Sequence, residues 1–359
     1  MARLRGTAVL LAAPAAATLL AVAVAALVLA AAGANPVATL RDAFAYGLRP
    51  ETLVAVVNKA VPYYLAGIAA AVGFHLRLFN IGIDGQYRLA AFTAAVIGAA
   101  VGLPAPLHLA VVAAVALAVG AGWAAIAGVL YVRRGVNVVI STIMLNAVAT
   151  GLIAWLLSPE RLGRLAPGSN NVTTATIPES GWIPSIPTPS GDLNGLVVLA
   201  ALVGAGYWFV LNRTTLGFEV RVMGLGERAA TVAGIGARRL ALLTMAASGA
   251  IAGLVGLPQL LGASHRFGLD FPAGLAFTGL SVAILGRNHP VGVAVGAFVW
   301  AFLERSAQVL DLAGISREVV TILQAVIVLS ILVAYELVRR VRARQERRYV
   351  AQAVEGAAA

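Results

Sequence analysis

Cysteine is absent from the 359 residues. That excludes disulfides, thiolate metal sites and cysteine nucleophiles. Charge is scarce as well. Asp, Glu, Lys and Arg make up 11% of the chain, against about 25% in soluble domains. Lysine is nearly missing: Lys59 stands alone, and every other strongly basic residue is arginine. The four histidines, His75, His108, His265 and His289, are scattered, and no pair has metal-ligand spacing. No G-x-x-x-x-G-K-[ST] stretch occurs, so the chain has no phosphate-cradling loop of its own. No Ser-His-Asp set falls in a plausible shared pocket. Ionisable residues within the apolar runs are few, which argues against an ion-driven carrier built on carboxylate relays.

What the chain has is apolar length. It is 60% hydrophobic with a mean hydropathy of +0.90. The runs predict an all-α polytopic membrane protein with about ten transmembrane helices: 7–32, 53–76, 89–101, 107–132, 136–157, 195–211, 240–261, 272–285, 291–310 and 319–338. The first run has a small-residue stretch at 32–34 like a cleavage site, but it is too long for a signal-peptide core and reads as an uncleaved span. Residues 35–51 read as a short mixed loop. Residues 158–194 form a long external loop, rich in Pro, Ser, Thr and Asn, and predicted to be irregular.

Charge sets the orientation. With ten spans and both termini in the cytoplasm, 18 arginines fall in cytoplasmic segments and six in external ones. Positive loops stay inside. The net charge of +11 is therefore a membrane-topology signal and implies no nucleic acid. The chain is one transmembrane domain, 1–359. Its first five spans lie within 7–157 and its last five within 195–338, and a basic tail occupies 339–359.

Three stretches depart from plain spans. The first is FNIGIDGQYR, 79–88, where Gly82 and Gly85 sit among Asn80, Asp84 and Gln86. Irregular polar backbone survives near a bilayer only where protein or water covers it. It is either a tight cytoplasmic turn or an unwound segment lining a path. The Gly-rich short span at 272–285 follows five spans later. An odd offset reverses orientation, so the pair suggests a five-plus-five inverted repeat.

The second is span five. At 100° per residue Asn137 and Ser141 share one face, and Thr142, Asn146 and Thr150 share another. Helix–helix hydrogen bonds explain these residues; so does a lining for a neutral, hydrogen-bonding solute. The third is the loop 213–239, with five arginines against two glutamates. Within it 227–233 reads as a short helix with Ala229, Ala230 and Ala233 on one face, closed by Gly234. It is either a solvated connector or a shape that docks into another protein's cleft.

Four segments carry a family resemblance: FNIGIDGQ (79–86), NVVISTIMLN (137–146), GLGERAATVAGI (224–235) and GLSVAILGRNHPVGV (279–293). In this order they resemble the permease subunits of ABC importers of the branched-chain amino acid/simple-sugar superfamily. The likeness is strongest to the larger permease of the BMP-lipoprotein-linked nucleoside importers, and it covers the chain from span two to span ten.

The resemblance implies a transport subunit at the inner (plasma) membrane of a bacterial cell, and not an enzyme. It binds no cofactor itself; ATP and Mg belong to a partner ATPase with two nucleotide-binding cassettes. A paralogous second permease, an external solute-binding lipoprotein and membrane lipid complete the partners. The ATPase-coupling element would be Gly226, Glu227, Arg228, Ala229, Ala230, Gly234 and Ile235. Arg228 stands where the importer pattern has Glu, and the pattern's Ile-Pro end is missing. Val138 replaces an acidic residue usual in the relatives. The substrate path would draw on Asn80, Asp84, Gln86, Asn137, Ser141 and Asn146. Nucleosides fit such neutral groups first; a simple sugar or an amino acid is the alternative. An ion-coupled secondary transporter and a non-transporting scaffold are the rival classes.

Overall fold

The computed structural model describes residues 19–20, 22–31, 33–165, 171–226, 230, 232–308, 319, 321–322, 325–326, 329–330, 333 and 340. The expected tenth span, the basic tail and the start of the first span lie outside the described residues, apart from isolated positions. The described chain is mostly helical. It divides into two compact units, one of 50–301 and one of 1–49 with 302–359.

In the smaller unit, α1 (Val22–Ala31) and α2 (Pro36–Gly47) meet at 116°. The sequence predicts a loop over 35–51, and α2 corrects it. Asn35 caps the helix, accepting from Val37 N at 3.1 Å and Ala38 N at 3.2 Å, and Pro36 occupies the first turn, where its missing N–H is harmless. Ala25, Leu29, Ala43 and Ala307 form this unit's apolar core. Gly47 lies against the Phe302 ring and Ser306.

The larger unit holds α3 (Pro50–Phe74), α4 (Ile83–Ala100), α5 (Ala105–Arg134), α6 (Val138–Leu156), α7 (Leu196–Arg213), α8 (Thr215–Leu225), α9 (Ala237–Leu254) and α10 (Leu275–Leu285). The helix α11 (Pro290–Ser306) begins in this unit. Among the described residues five helices are long and apolar enough to cross a membrane: Pro50–Phe74, Ala105–Arg134, Val138–Leu156, Leu196–Arg213 and Ala237–Ser264. The last includes a short turn, Leu257–Gln259, and a π-helical turn, Leu260–Ser264, beyond α9. α10 has 11 residues, about 16 Å of rise, roughly half a hydrocarbon core.

α3 and α9 are the most buried of the five, and the rest of the unit surrounds them. α5 packs on α9 through glycine and alanine. Side-chain atoms at Gly120 would strike the Gly249 carbonyl, and at Gly253 the Ala116 carbonyl. Small residues at i, i+4 let two helix backbones close to this distance, which is how helices associate where lipid removes the hydrophobic drive between them. α6 and α7 present Ile140, Met144, Val148, Trp155, Leu202 and Phe209 outward.

Three further boundaries differ from expectation. α4 starts at Ile83, so Asp84, Gly85 and Gln86 belong to it and only 79–82 of the polar stretch is irregular. The stretch 158–194, expected to be an irregular external loop, is more ordered than its composition suggests. It holds two small hairpins, β1 (Arg164–Leu165) with β2 (Val172–Thr173) and β3 (Ser185–Thr188) with β4 (Gly191–Asn194). Thr174 N donates to Phe267 O and Ile177 N to His265 O, lacing the stretch onto the chain beyond α9. Buried His108 completes the attachment, with Nε2 at 2.9 Å from Gly98 O and Nδ1 at 2.9 Å from Ser180 Oγ. Finally, the first half of the loop 213–239 is the helix α8, capped by Thr214 Oγ1 accepting from Gly217 N at 3.2 Å.

Candidate functional site

The chain leaves α3, turns through Arg77 in a left-handed conformation, and runs as irregular backbone to α4. Asn80 lies on that segment with no exposed surface. Its amide is fully used. Nδ2 donates to Gln86 Oε1 and Ser248 Oγ, both at 2.9 Å. Oδ1 accepts from Gln86 Nε2 at 2.9 Å and Gly82 N at 3.0 Å. Ser248 Oγ in turn donates to Ala69 O at 2.7 Å. Two donors and two acceptors are all an asparagine side chain normally offers. The knot ties α3, α4 and the middle of α9 together and pairs the Gly82 N–H of the unwound segment, as a water-poor interior favours. Asn80 and Gln86 are thus brought together, but their polar atoms face each other.

Asn146 on α6 grips the same segment from the other side. Its Oδ1 accepts from Gly85 N at 2.8 Å, and its Nδ2 donates to Ile81 O at 2.9 Å. The other polar residues near the start of α6 act locally. Asn137 is the helix cap, accepting from Val139 N at 2.8 Å, and so lies before the helix rather than on a face of it. Ser141 and Thr142 are both buried and both donate to Val138 O. Thr150 donates to Asn146 O at 3.0 Å.

Asp84, half-buried in the first turn of α4, points to the first turn of α10. Ala276 N donates to Asp84 Oδ1 at 3.3 Å, and Tyr87 OH donates to Pro272 O. The two Gly-rich breaks that the sequence pairs five spans apart therefore meet in space. Two helix N-termini converge, and a carboxylate stands between them, where their positive ends favour it. Among the described residues no group of three His, Asp or Glu could hold a metal ion.

The expected coupling element is partly described; Glu227, Arg228 and Ala229 lie outside the described residues. Ala230 N donates to Gly226 O at 3.1 Å, and Ile235 N donates five residues back to Ala230 O at 3.0 Å, the bond that ends a helix at a left-handed glycine. Gly234 is left-handed at φ +76°. Ala230 is fully buried, whereas Val232 is 90% and Leu225 87% exposed. The surface this loop offers is thus aliphatic rather than alanine alone. Beside it lies a pocket of ≈ 320 Å³ lined by Arg77, Tyr131, Gly226 and Arg238, among others.

Sequence reasoning misses Ser248 and gives Tyr87 no role. A lone serine in a small-residue helix has no pattern, and the Tyr87 hydroxyl shows no partner within the stretch 79–88 that contains it. It also misses Asn58, whose amide donates to Asp192 O and whose carbonyl accepts from Asn194 N, both at 2.8 Å, fastening α3 to the β3–β4 hairpin. Asn58 and Asn194 could have been read as polar residues needing partners, but not as partners of each other.

The sequence matches the family described as branched-chain amino acid transport system / permease component over residues 52–332. It is 34% identical over 284 residues to the guanosine ABC transporter permease protein NupP of Bacillus subtilis, which covers 78% of this chain and 81% of that one. It is also 34% identical over 302 residues to the glucose ABC transporter permease protein TsgB13 of Haloferax volcanii, with 81% and 78% covered. With the nucleoside ABC transporter permease protein NupB of Lactococcus lactis the identity is 29% over 312 residues, 84% and 85% covered.

Proposed function

The chain belongs to the branched-chain amino acid transport system / permease component family, and from that premise we propose that it imports a neutral polar solute, nucleosides first. It is a multi-pass membrane transport subunit of an ABC system rather than an enzyme. In the proposal it works beside a paralogous permease. A two-cassette ATPase seats against 226–235, and an external lipoprotein delivers the solute. The ten-span, five-plus-five arrangement with cytoplasmic termini is part of the same reading.

The observation that carries the proposal is the meeting of α4 and α10 at Asp84. Interrupted helices converging on one point are how transporters build a solute site. Half-buried Asp84 and Asn146 would line the path. Asn80 and Gln86, with no surface to spare, hold the wall behind them. Asn137 and Ser141 set the start of α6. The Asn146 amide keeps a proton to donate to ribose or base, and the Asp84 carboxylate can accept from a hydroxyl. Two of the relatives above are named for guanosine or nucleosides, which agrees.

A simple sugar is the second reading, because the glucose permease is as similar as the guanosine permease. The test is purification from the native host in mild detergent, followed by uptake of labelled guanosine, uridine and glucose into vesicles. Co-purification of a two-cassette ATPase and a second permease, with uptake of nucleosides alone, is expected. Uptake of glucose alone would move the solute to sugars. A chain that purifies by itself, with uptake abolished by an ionophore and not by ATP depletion, would overturn the ABC mechanism. Asn146→Ala and Asn137→Ala, if both left uptake and preference unchanged, would remove Asn146 from the path and Asn137 from its support.

A further inference from the structure

One phenol joins three elements at the end of the larger unit where α3, α7 and α10 finish. Tyr207, on α7, donates its hydroxyl to Asn288 O at 2.7 Å. His75 Nε2, just past the end of α3, lies 2.8 Å from the same oxygen. A tyrosine hydroxyl has one proton. With that proton spent on Asn288, Nε2 must carry its own hydrogen and donate to Tyr207. The relay therefore runs in one direction, His75 to Tyr207 to Asn288.

One end of the relay sits on unusual backbone, and the other is pressed by a neighbouring helix. Arg287 and Asn288 are consecutive left-handed residues, φ +54° and +58°, in the turn between α10 and α11. Non-glycine residues hold that conformation only when their surroundings fix them, and the bond to Tyr207 is one such restraint. At the other end, Gly224 in the last turn of α8 presses directly on the His75 carbonyl; a Cβ there would collide with it. α8 leads straight into Gly226 and the loop that follows. A shift of that loop is passed to His75 by contact, to Tyr207 by hydrogen bond, and to the strained turn by a second hydrogen bond.

We propose that Tyr207 is a transmission residue, joining the position of the cytoplasmic loop to the turn that follows α10, the helix whose first turn meets Asp84. It acts through its neighbours and touches no solute. The inference rests on the reading of this chain as an ATPase-driven permease.

The experiment uses the complete complex in proteoliposomes and measures solute imported per ATP hydrolysed. Tyr207→Phe removes only the hydroxyl. It is expected to lower that ratio about fivefold, the worth of one neutral hydrogen bond, while assembly and ATP hydrolysis stay near wild type. His75→Gln, whose amide can donate to the same oxygen, should keep the ratio, and His75→Leu should lose it as Tyr207→Phe does. A purely structural role would lower stability or hydrolysis and leave the ratio alone. A wild-type ratio in Tyr207→Phe overturns the inference. If Tyr207→Phe does not assemble, equal ratios in His75→Gln and His75→Leu overturn it instead. A wild-type complex that imports nothing with ATP overturns the transport reading itself, which is a distinguishable failure.

Discussion

Gly85 lies so close to Asn146 that a Cβ on it would stand 2.8 Å from Asn146 Oδ1 and 3.0 Å from its Cα. The glycine is there for space, and the hydrogen bond from its N–H depends on that space. Gly85→Ala forces α4 and α6 apart and breaks the bond. Overpacking of this kind costs about 1–3 kcal/mol. The expected result is a lower melting temperature in detergent and impaired uptake. A variant with unchanged melting and unchanged uptake would show that the clamp is dispensable.

The α5–α9 contact supplies its own control. Gly120 faces the Gly249 carbonyl, whereas Gly122, two residues on, has nothing within 4 Å. Gly120→Val should separate the helices and lower folded yield sharply, since the obstructing atoms are backbone and have no rotamer to escape into. Gly122→Ala should be neutral or slightly stabilising, because it removes helix-interior glycine at no steric cost. Expression and thermal melting of the pair measure the difference directly.

Ala230 and Gly234 separate two effects in the proposed coupling loop. Ala230 is fully buried, so Ala230→Trp must displace the loop from its seat. ATP-driven uptake is expected to fall by an order of magnitude or more. Gly234 has open space around it and φ +76°, so Gly234→Ala adds only backbone strain, roughly 1–2 kcal/mol. Its effect on uptake should be the milder one. Wild-type rates in both variants would mean that this loop does not couple to the ATPase.

His75 makes stability depend on pH. Burial, and then the nearby Arg221, hold its imidazole below the ordinary histidine range. The unfolded chain binds the proton more readily, so folding is favoured most above the unfolded pKa of about 6.5. That contribution is lost as pH falls below 6.5 toward the lowered folded value. Melting temperature should drop on acidification over this window. His75→Gln should flatten that part of the profile; an equal slope in the variant would assign the effect to other groups.

How much of this was legible beforehand depends on the kind of signal. FNIGIDGQ is visible because polar residues in an apolar chain must be explained, and Asn80, Asp84 and Gln86 are each engaged in the structure. The partners are not visible: Ser248 and the Ala69 carbonyl stand far off in sequence and carry no pattern. Boundaries fail where a cap competes with hydropathy. Asn35–Pro36 starts α2 without a long apolar run, and Thr214 starts α8 inside what its arginines mark as a loop. Asn137 misleads through periodicity, since a residue that caps a helix has no place on its faces. The family resemblance, by contrast, rests on motif order and agrees with the match over 52–332.

Trp182 of the stretch 158–194 stacks on His265 with ring centroids 3.9 Å apart and planes 16° from parallel. An indole in face contact with an imidazole has a fluorophore and a quencher built into one joint. The joint links that stretch to the residue that follows the π-helical turn beyond α9. With the other four of the five tryptophans replaced, its emission would report, without any added label, whether the two segments have parted.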